Sequence, residues 1–479
     1  RLLRCQHAGL EMLEVQFYND KNRLLGSMFG ETELPDGVSE IKIWGKRDSN
    51  HGFQTLLNML KRAEAKIDMV SLHGIQEISP EILAFLFWIA SRTNGLTVYE
   101  CKLGDSGFAC LMSGVLQPNG FTKLEFTNVT DETPKITKHQ ATLLFEAVAS
   151  SSSLETLWIQ ARFEEFYNVY QVLLNSLRRN RSLVDFAFGM NYDPPNLPHV
   201  DAAFVITSLL EATVLQTQVR DLQFDQMGET LLRVPLLNTL ADVVCREDCS
   251  LRDLCFKKIL PVSQDSAEAA ITEKNSSVTA LHLLDMDIAL PEAIPTIRLF
   301  DSLKRLQLNN CSISDLTPLD DLLLRGKEST LEHLGLTGNN ITEQDLNIFL
   351  EKLPRMRSLK CLDMANMNSL TDSEASVTVL KDAAWRNTSL ESVYYYYGNS
   401  PPFMQLDSII KLATTLNRGG QRKFLDCYPI PFPQKLWPHI LKRAMAIKYY
   451  GNKDDWGSPT LTSPSLDAVF WLLQKKMHF

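Results

Sequence analysis

The chain has 479 residues, 44% of them apolar and 22% charged, with 57 acidic against 48 basic side chains and a net charge of −9. This is the composition of an ordinary folded protein, and the acidic balance argues against nucleic acid, whose phosphate backbone is bound mainly by cations. The longest apolar run, Ile82 to Ala90, is too short to span a bilayer, and nine scattered cysteines read as buried free thiols of a reducing compartment.

From the N-terminus onward, a six-residue pattern with apolar residues at its first, fourth and sixth positions recurs. It reads Leu10-Leu13-Val15, Val38-Ile41-Ile43, Ile67-Val70-Leu72, Leu96-Tyr99-Cys101, Phe121-Leu124-Phe126, Leu154-Leu157-Ile159 and Leu183-Phe186-Phe188. It continues as Val219-Leu222-Phe224, Leu251-Leu254-Phe256, Val278-Leu281-Leu283, Leu303-Leu306-Leu308, Leu331-Leu334-Leu336, Leu359-Leu362-Met364 and Leu390-Val393-Tyr395. The starts are 25 to 36 residues apart. Within each frame the in-out-in alternation is strand behaviour. Between frames the spacing turns helical, as in Phe53, Leu56, Leu57 and Leu60, in Val169, Val172, Leu173 and Leu177, and in Phe349, Leu350 and Leu353. A strand-plus-helix unit cannot bury its apolar side alone, so neighbours must stack and share a core.

The repeated L-x-x-L-x-L frame resembles the leucine-rich-repeat family in its ribonuclease-inhibitor-like form. The resemblance implies an α/β solenoid, a horseshoe with a parallel sheet on its concave face and helices on its convex face. The family places Asn or Cys at the ninth position of each unit. Asn191, Cys311 and Asn339 match, whereas Val129, Arg162, Met286 and Met367 depart, so the turns should be irregular. Residues 1–420 are expected to form about fourteen units, with 421–479 as a C-terminal cap. The run around Trp437-Pro438-His439-Ile440-Leu441 is similar to the ends of leucine-rich-repeat proteins of diatoms and related algae. The start at Arg1, not Met, suggests missing upstream sequence.

Catalytic motifs are weak. Gly104-Asp105-Ser106-Gly107 copies the tetrapeptide around a trypsin-like serine but sits where a turn is expected, with no matching His segment. Cys255 and His282 share the fifth position of neighbouring frames and could pair as a thiolate site, and Cys245 and Cys249 lie one helical turn apart. No phosphate-binding loop, dinucleotide fingerprint or H-E-x-x-H is present, so no enzyme activity, metal or cofactor is expected.

Positions three, five and seven of each frame should project from the inner face. There Asp185, Asp221 and Asp253 fall in three successive units, and Asp225 adds a fourth carboxylate. Like charges on adjacent strands repel, so such a row is either neutralised locally, with Arg220 and Arg252 as candidates, or kept for a cationic partner. Glu14, Glu100 and Glu125 extend the negative charge, offset by Lys42, Lys102 and Lys123. Trp44, Trp158, Tyr394 and Tyr396 occupy outward positions, and exposed Trp and Tyr are favoured at interfaces. The expectation is a non-catalytic scaffold that binds a protein partner, with a basic segment, on its concave face. A regulator of a small GTPase, as in the Ran-activating relatives of this repeat type, is the alternative, and a structural subunit of a larger assembly is another. The free cysteines imply an intracellular site, although six N-x-S/T triplets, at Asn128, Asn180, Asn275, Asn310, Asn340 and Asn387, would suit a secreted chain.

Overall fold

The computed structural model describes residues 12–16, 40–44, 57–58, 61, 67–75, 78–118, 120–128, 135–164, 166–189, 202–215, 218–225, 249–257, 277–286, 290–298, 300–324, 329–366, 374–395, 410–411, 413–414 and 417–418. Contacts divide the chain into two compact units, Arg1–His282 and Leu283–Phe479. The division falls inside the stretch 1–420 expected as one solenoid. The expected cap, 421–479, lies outside the described residues, as do Asn191 and Cys245.

The first unit alternates strand and helix. Its strands are β1 (Met12–Gln16), β2 (Glu40–Trp44), β3 (Ile67–His73), β4 (Thr93–Tyr99), β5 (Lys123–Asn128), β6 (Thr156–Ala161), β7 (Asp185–Gly189), β8 (Asp221–Asp225) and β9 (Asp253–Lys257). Helices α1 (Pro80–Ala90), α2 (Gly104–Val115), α3 (Lys138–Ser150), α4 (Phe166–Arg179) and α5 (Ala202–Leu215) lie between successive strands from β3 to β8. Each strand pairs in parallel with the next in sequence order. A further strand, β10 (Ala280–Leu284), crosses the division between the units. The second unit continues with α6 (Leu290–Ile297), β11 (Arg305–Asn309), β12 (His333–Gly335), α7 (Glu343–Lys352), β13 (Cys361–Met364), α8 (Glu374–Arg386) and β14 (Ser392–Tyr395). Here too β11 to β14 pair in parallel, neighbour to neighbour. No described helix is long and apolar enough to cross a membrane.

Burial follows the frame. Leu124, Phe126, Leu157, Ile159, Phe186, Phe188, Leu306, Leu308, Leu334 and Leu336 are all buried, while the residues between them along each strand face the other side. Each buried Leu or Phe contributes about 1.5–3 kcal/mol. The helices cover this apolar side: Phe108 of α2 packs on Phe126 of β5 with ring centroids 5.3 Å apart. Close approach of α1 and α2 depends on Gly114, where a Cβ would fall 2.7 Å from the Cβ of Ala90. Helix starts are fixed locally. Ser79 caps α1 ahead of Pro80, and Thr137 and Gln140 form a reciprocal capping box at α3.

One expected frame is corrected. Val70 pairs with Leu96 and Leu72 with Val98, so the fourth frame is Thr93-Leu96-Val98, three residues before the apolar match Leu96-Tyr99-Cys101. Thr93 takes the place of a leucine because its hydroxyl is satisfied internally, donating to Asp68 O at 3.3 Å and Gly95 O at 3.1 Å. The shift makes Cys101 the ninth residue of its unit. Its thiol donates to Leu72 O at 3.5 Å and accepts from Ile75 N at 3.4 Å. Cys311 does the same work in the second unit, donating to Leu283 O at 3.1 Å. Asn339 accepts from Cys311 N and Ile313 N and donates to Leu308 O and Leu336 O.

A second polar post precedes the strands. Asn180 donates to Val148 O and Ser151 O and accepts from Ser182 N and Leu183 N. Asn387 repeats the arrangement with Leu353 O, Met356 O, Ser389 N and Leu390 N. Both stand in N-x-S triplets, and at 1% exposure each is committed to holding its turn, out of reach of a glycan.

Candidate functional site

Pairing register fixes three rows on the side of the first unit's sheet opposite its apolar side. One row runs Lys123, Thr156, Asp185, Asp221, Asp253. The next runs Lys42, Ser71, Thr97, Glu125, Trp158, Ala187, Gln223, Cys255. The third begins Trp44, His73, Tyr99, Thr127 and ends Gly189, Asp225, Lys257. Adjacent rungs are about 4.8 Å apart.

The first row brings Asp185, Asp221 and Asp253 together as direct cross-strand partners. Asp185 is half-buried and Asp221 exposed. Burial, then the neighbouring Asp221 carboxylate, pushes the Asp185 carboxyl up to about 6, although Lys123 pulls the other way. Asp221 is also raised, by partial burial and then by Asp253. Arg220 and Arg252 pull the other way. At its far end Asp253 Oδ1 lies 3.1 Å from His282 Nε2.

Asp225 departs from its expected place on an accessible surface. It is 2% exposed, and Lys257 Nζ reaches its carboxylate at 3.2 Å. The cause is its neighbour Gly189: a Cβ there would stand 2.7 Å from Asp225 O and 3.2 Å from Asp225 Cβ, so Asp225 settles into space that any side chain would fill. Glu100 also leaves the face. It is buried just past β4 with φ of 54°. Glu125 is compensated by Lys123 at 2.7 Å and by the Thr97 hydroxyl at 2.8 Å.

Trp44 and Trp158 do project, at 40% and 36% exposure. Trp44 belongs to a ladder that sequence reasoning missed: His73 stacks on it, and Tyr99, itself 40% exposed, lies 5.4 Å from His73 between ring centroids. His73 was legible as the seventh residue of the frame after that of Trp44. Tyr99 was hidden by the slipped frame, which counted it as core. Tyr394 is exposed on β14 of the second unit, opposite Asp363 on β13. Tyr396 lies outside the described residues.

The chemical alternatives do not assemble. Burial, reinforced by Asp253 and Asp225, pushes the Cys255 thiol up to about 12, so it stays protonated, and its expected partner His282 is engaged with Asp253. Gly104 to Gly107 open α2, and Asp105 accepts a hydrogen bond from the Gln140 side chain at 2.9 Å. No group of three metal-ligating side chains occurs among the described residues. Comparison with known proteins gives no matching family model and no matching curated protein.

Proposed function

We propose that the chain is a leucine-rich-repeat solenoid of the ribonuclease-inhibitor-like type and acts as a non-catalytic scaffold, binding a basic segment of a partner protein on its concave face. Support for the repeat type comes from the coincidence of every frame with a strand, one of them after a three-residue shift, and from the matching roles of Cys101, Cys311 and Asn339. The observation that carries the binding reading is the row Asp185, Asp221, Asp253. Three carboxylates held in register destabilise one another, and at Asp185 the neighbouring Asp221 carboxylate adds to burial in raising the carboxyl. A cationic segment laid across the strands would relieve that repulsion and gain electrostatic steering. Trp158 stands one strand from Asp185 and would supply apolar contact.

A short fluorescent Arg/Lys-rich peptide tests the reading by anisotropy. Saturable binding is expected, at least about tenfold weaker in the Asp221→Lys/Asp253→Lys double variant. Equal affinity in a variant with an unchanged circular dichroism spectrum would remove the aspartate row from the function.

A further inference from the structure

The turns ahead of β4 to β8 line an open cavity of about 1100 Å³ that shares no lining residue with the three rows. Three arginines, Arg92, Arg179 and Arg181, line it against a single carboxylate, Glu155. That excess of positive charge stands out in a chain whose acidic residues outnumber its basic ones by 57 to 48. All three arginines are exposed, and neither Arg92 nor Arg179 pairs with a carboxylate among the described residues.

The walls are already committed. The hydroxyls of Thr122 and Ser182 donate to Asn94 O and Leu154 O, which locks successive turns together. Helices α1, α3 and α4 end at this cavity, and bare helix C-termini would repel an anion; at α1 the Ser91 hydroxyl donates to Trp88 O at 2.9 Å. At α3 that repulsion is blunted, because Asn180 Nδ2 donates to Val148 O at 2.6 Å and Ser151 N to Ala147 O at 2.9 Å. Arg179 lies in the last turn of α4 and offsets that helix end. Arg92 and Arg181 lie beyond the ends of α1 and α4, outside any helix.

The lining also limits what could bind. It holds no aromatic ring on which a base could stack, and its apolar side chains are confined to Pro118, Ala149 and Val184, too few to anchor a peptide. Recognition must come from charge, and the volume exceeds what one phosphate group fills. We propose that this cavity binds a compact oligophosphate, gripped by the planar guanidinium forks of Arg92, Arg179 and Arg181.

Titration calorimetry of the full chain with sodium tripolyphosphate, at fixed ionic strength and with sulfate as the charge control, tests this. One saturable site per chain is expected, preferring tripolyphosphate over sulfate and weakening as salt rises. Arg92→Gln/Arg181→Gln should lose at least about tenfold in affinity, whereas Asp221→Lys/Asp253→Lys should leave it unchanged. The single variants Arg92→Gln and Arg179→Gln, at exposed positions, each with a several-fold loss, serve if the double variant does not fold. Absence of saturable heat up to about 1 mM ligand, equal affinity for sulfate, or unchanged affinity in the folded arginine variants would overturn the proposal.

Discussion

Trp44 lies flat against His73, with ring centroids 4.1 Å apart and planes inclined by 18°. The two side chains come from neighbouring strands at the same rung, so the contact exists only in the paired register. A double-mutant cycle of Trp44→Ala and His73→Ala is expected to give a coupling of about 0.5–1.5 kcal/mol. Strictly additive losses in urea unfolding would contradict the stack.

Asn387 is expected to matter more than its polar character suggests. Asn387→Ala removes one hydrogen-bond partner from each of two carbonyls and two amides at once and should cost about 2–4 kcal/mol. Asn180→Ala should behave alike. Denaturant midpoints at unchanged slope check both, and a loss below about 0.5 kcal/mol would mean that water replaces the amide.

Leu306 is fully buried on β11. Leu306→Ala should destabilise the second unit by about 2–5 kcal/mol through the void it leaves. Gln307, its neighbour on the opposite side of the sheet, provides the control: Gln307→Ala should change stability far less, and equal losses would put the register in error.

Asp185 carries a pH signature. Its carboxyl rises from an ordinary 3.8 to about 6 on folding, so between those values the folded chain binds more protons than the unfolded one. Its ionisation opposes folding fully above about 6, less at intermediate pH, and not at all below 3.8, where both states are neutral. Asp185→Asn should therefore raise the melting temperature at neutral pH, with a gain that fades as pH falls towards 4. A gain that grows on acidification would refute the assignment. Cationic peptide binding to the wild-type face should weaken over the same interval as the row loses charge.

The periodic apolar frame made the alternation of strand and helix readable, and with it the outward placement of Trp44, Trp158, Asp185, Asp221 and Asp253. What escaped the sequence were places where chemistry substitutes for hydrophobicity. Thr93 fills a leucine position by satisfying its own hydroxyl, and an apolar match therefore slides to Leu96 and carries Tyr99 into the core by mistake. Asp225 is a surface residue by position and a buried one by circumstance, because the missing side chain of Gly189 belongs to the preceding repeat, some 36 residues earlier. Asn180 and Asn387 matched a glycosylation triplet that has nothing to do with their work.

The rows depend only on which strand lies beside which, so their content can be rewritten by splicing. Excising residues 121–153 would remove a complete repeat and leave β4 beside β6. Tyr99 would then meet Gln160 and Thr97 would meet Trp158, a new surface made from old parts without one altered side chain. Loss or duplication of a single repeat would thus recompose this face in a way that point mutation does not.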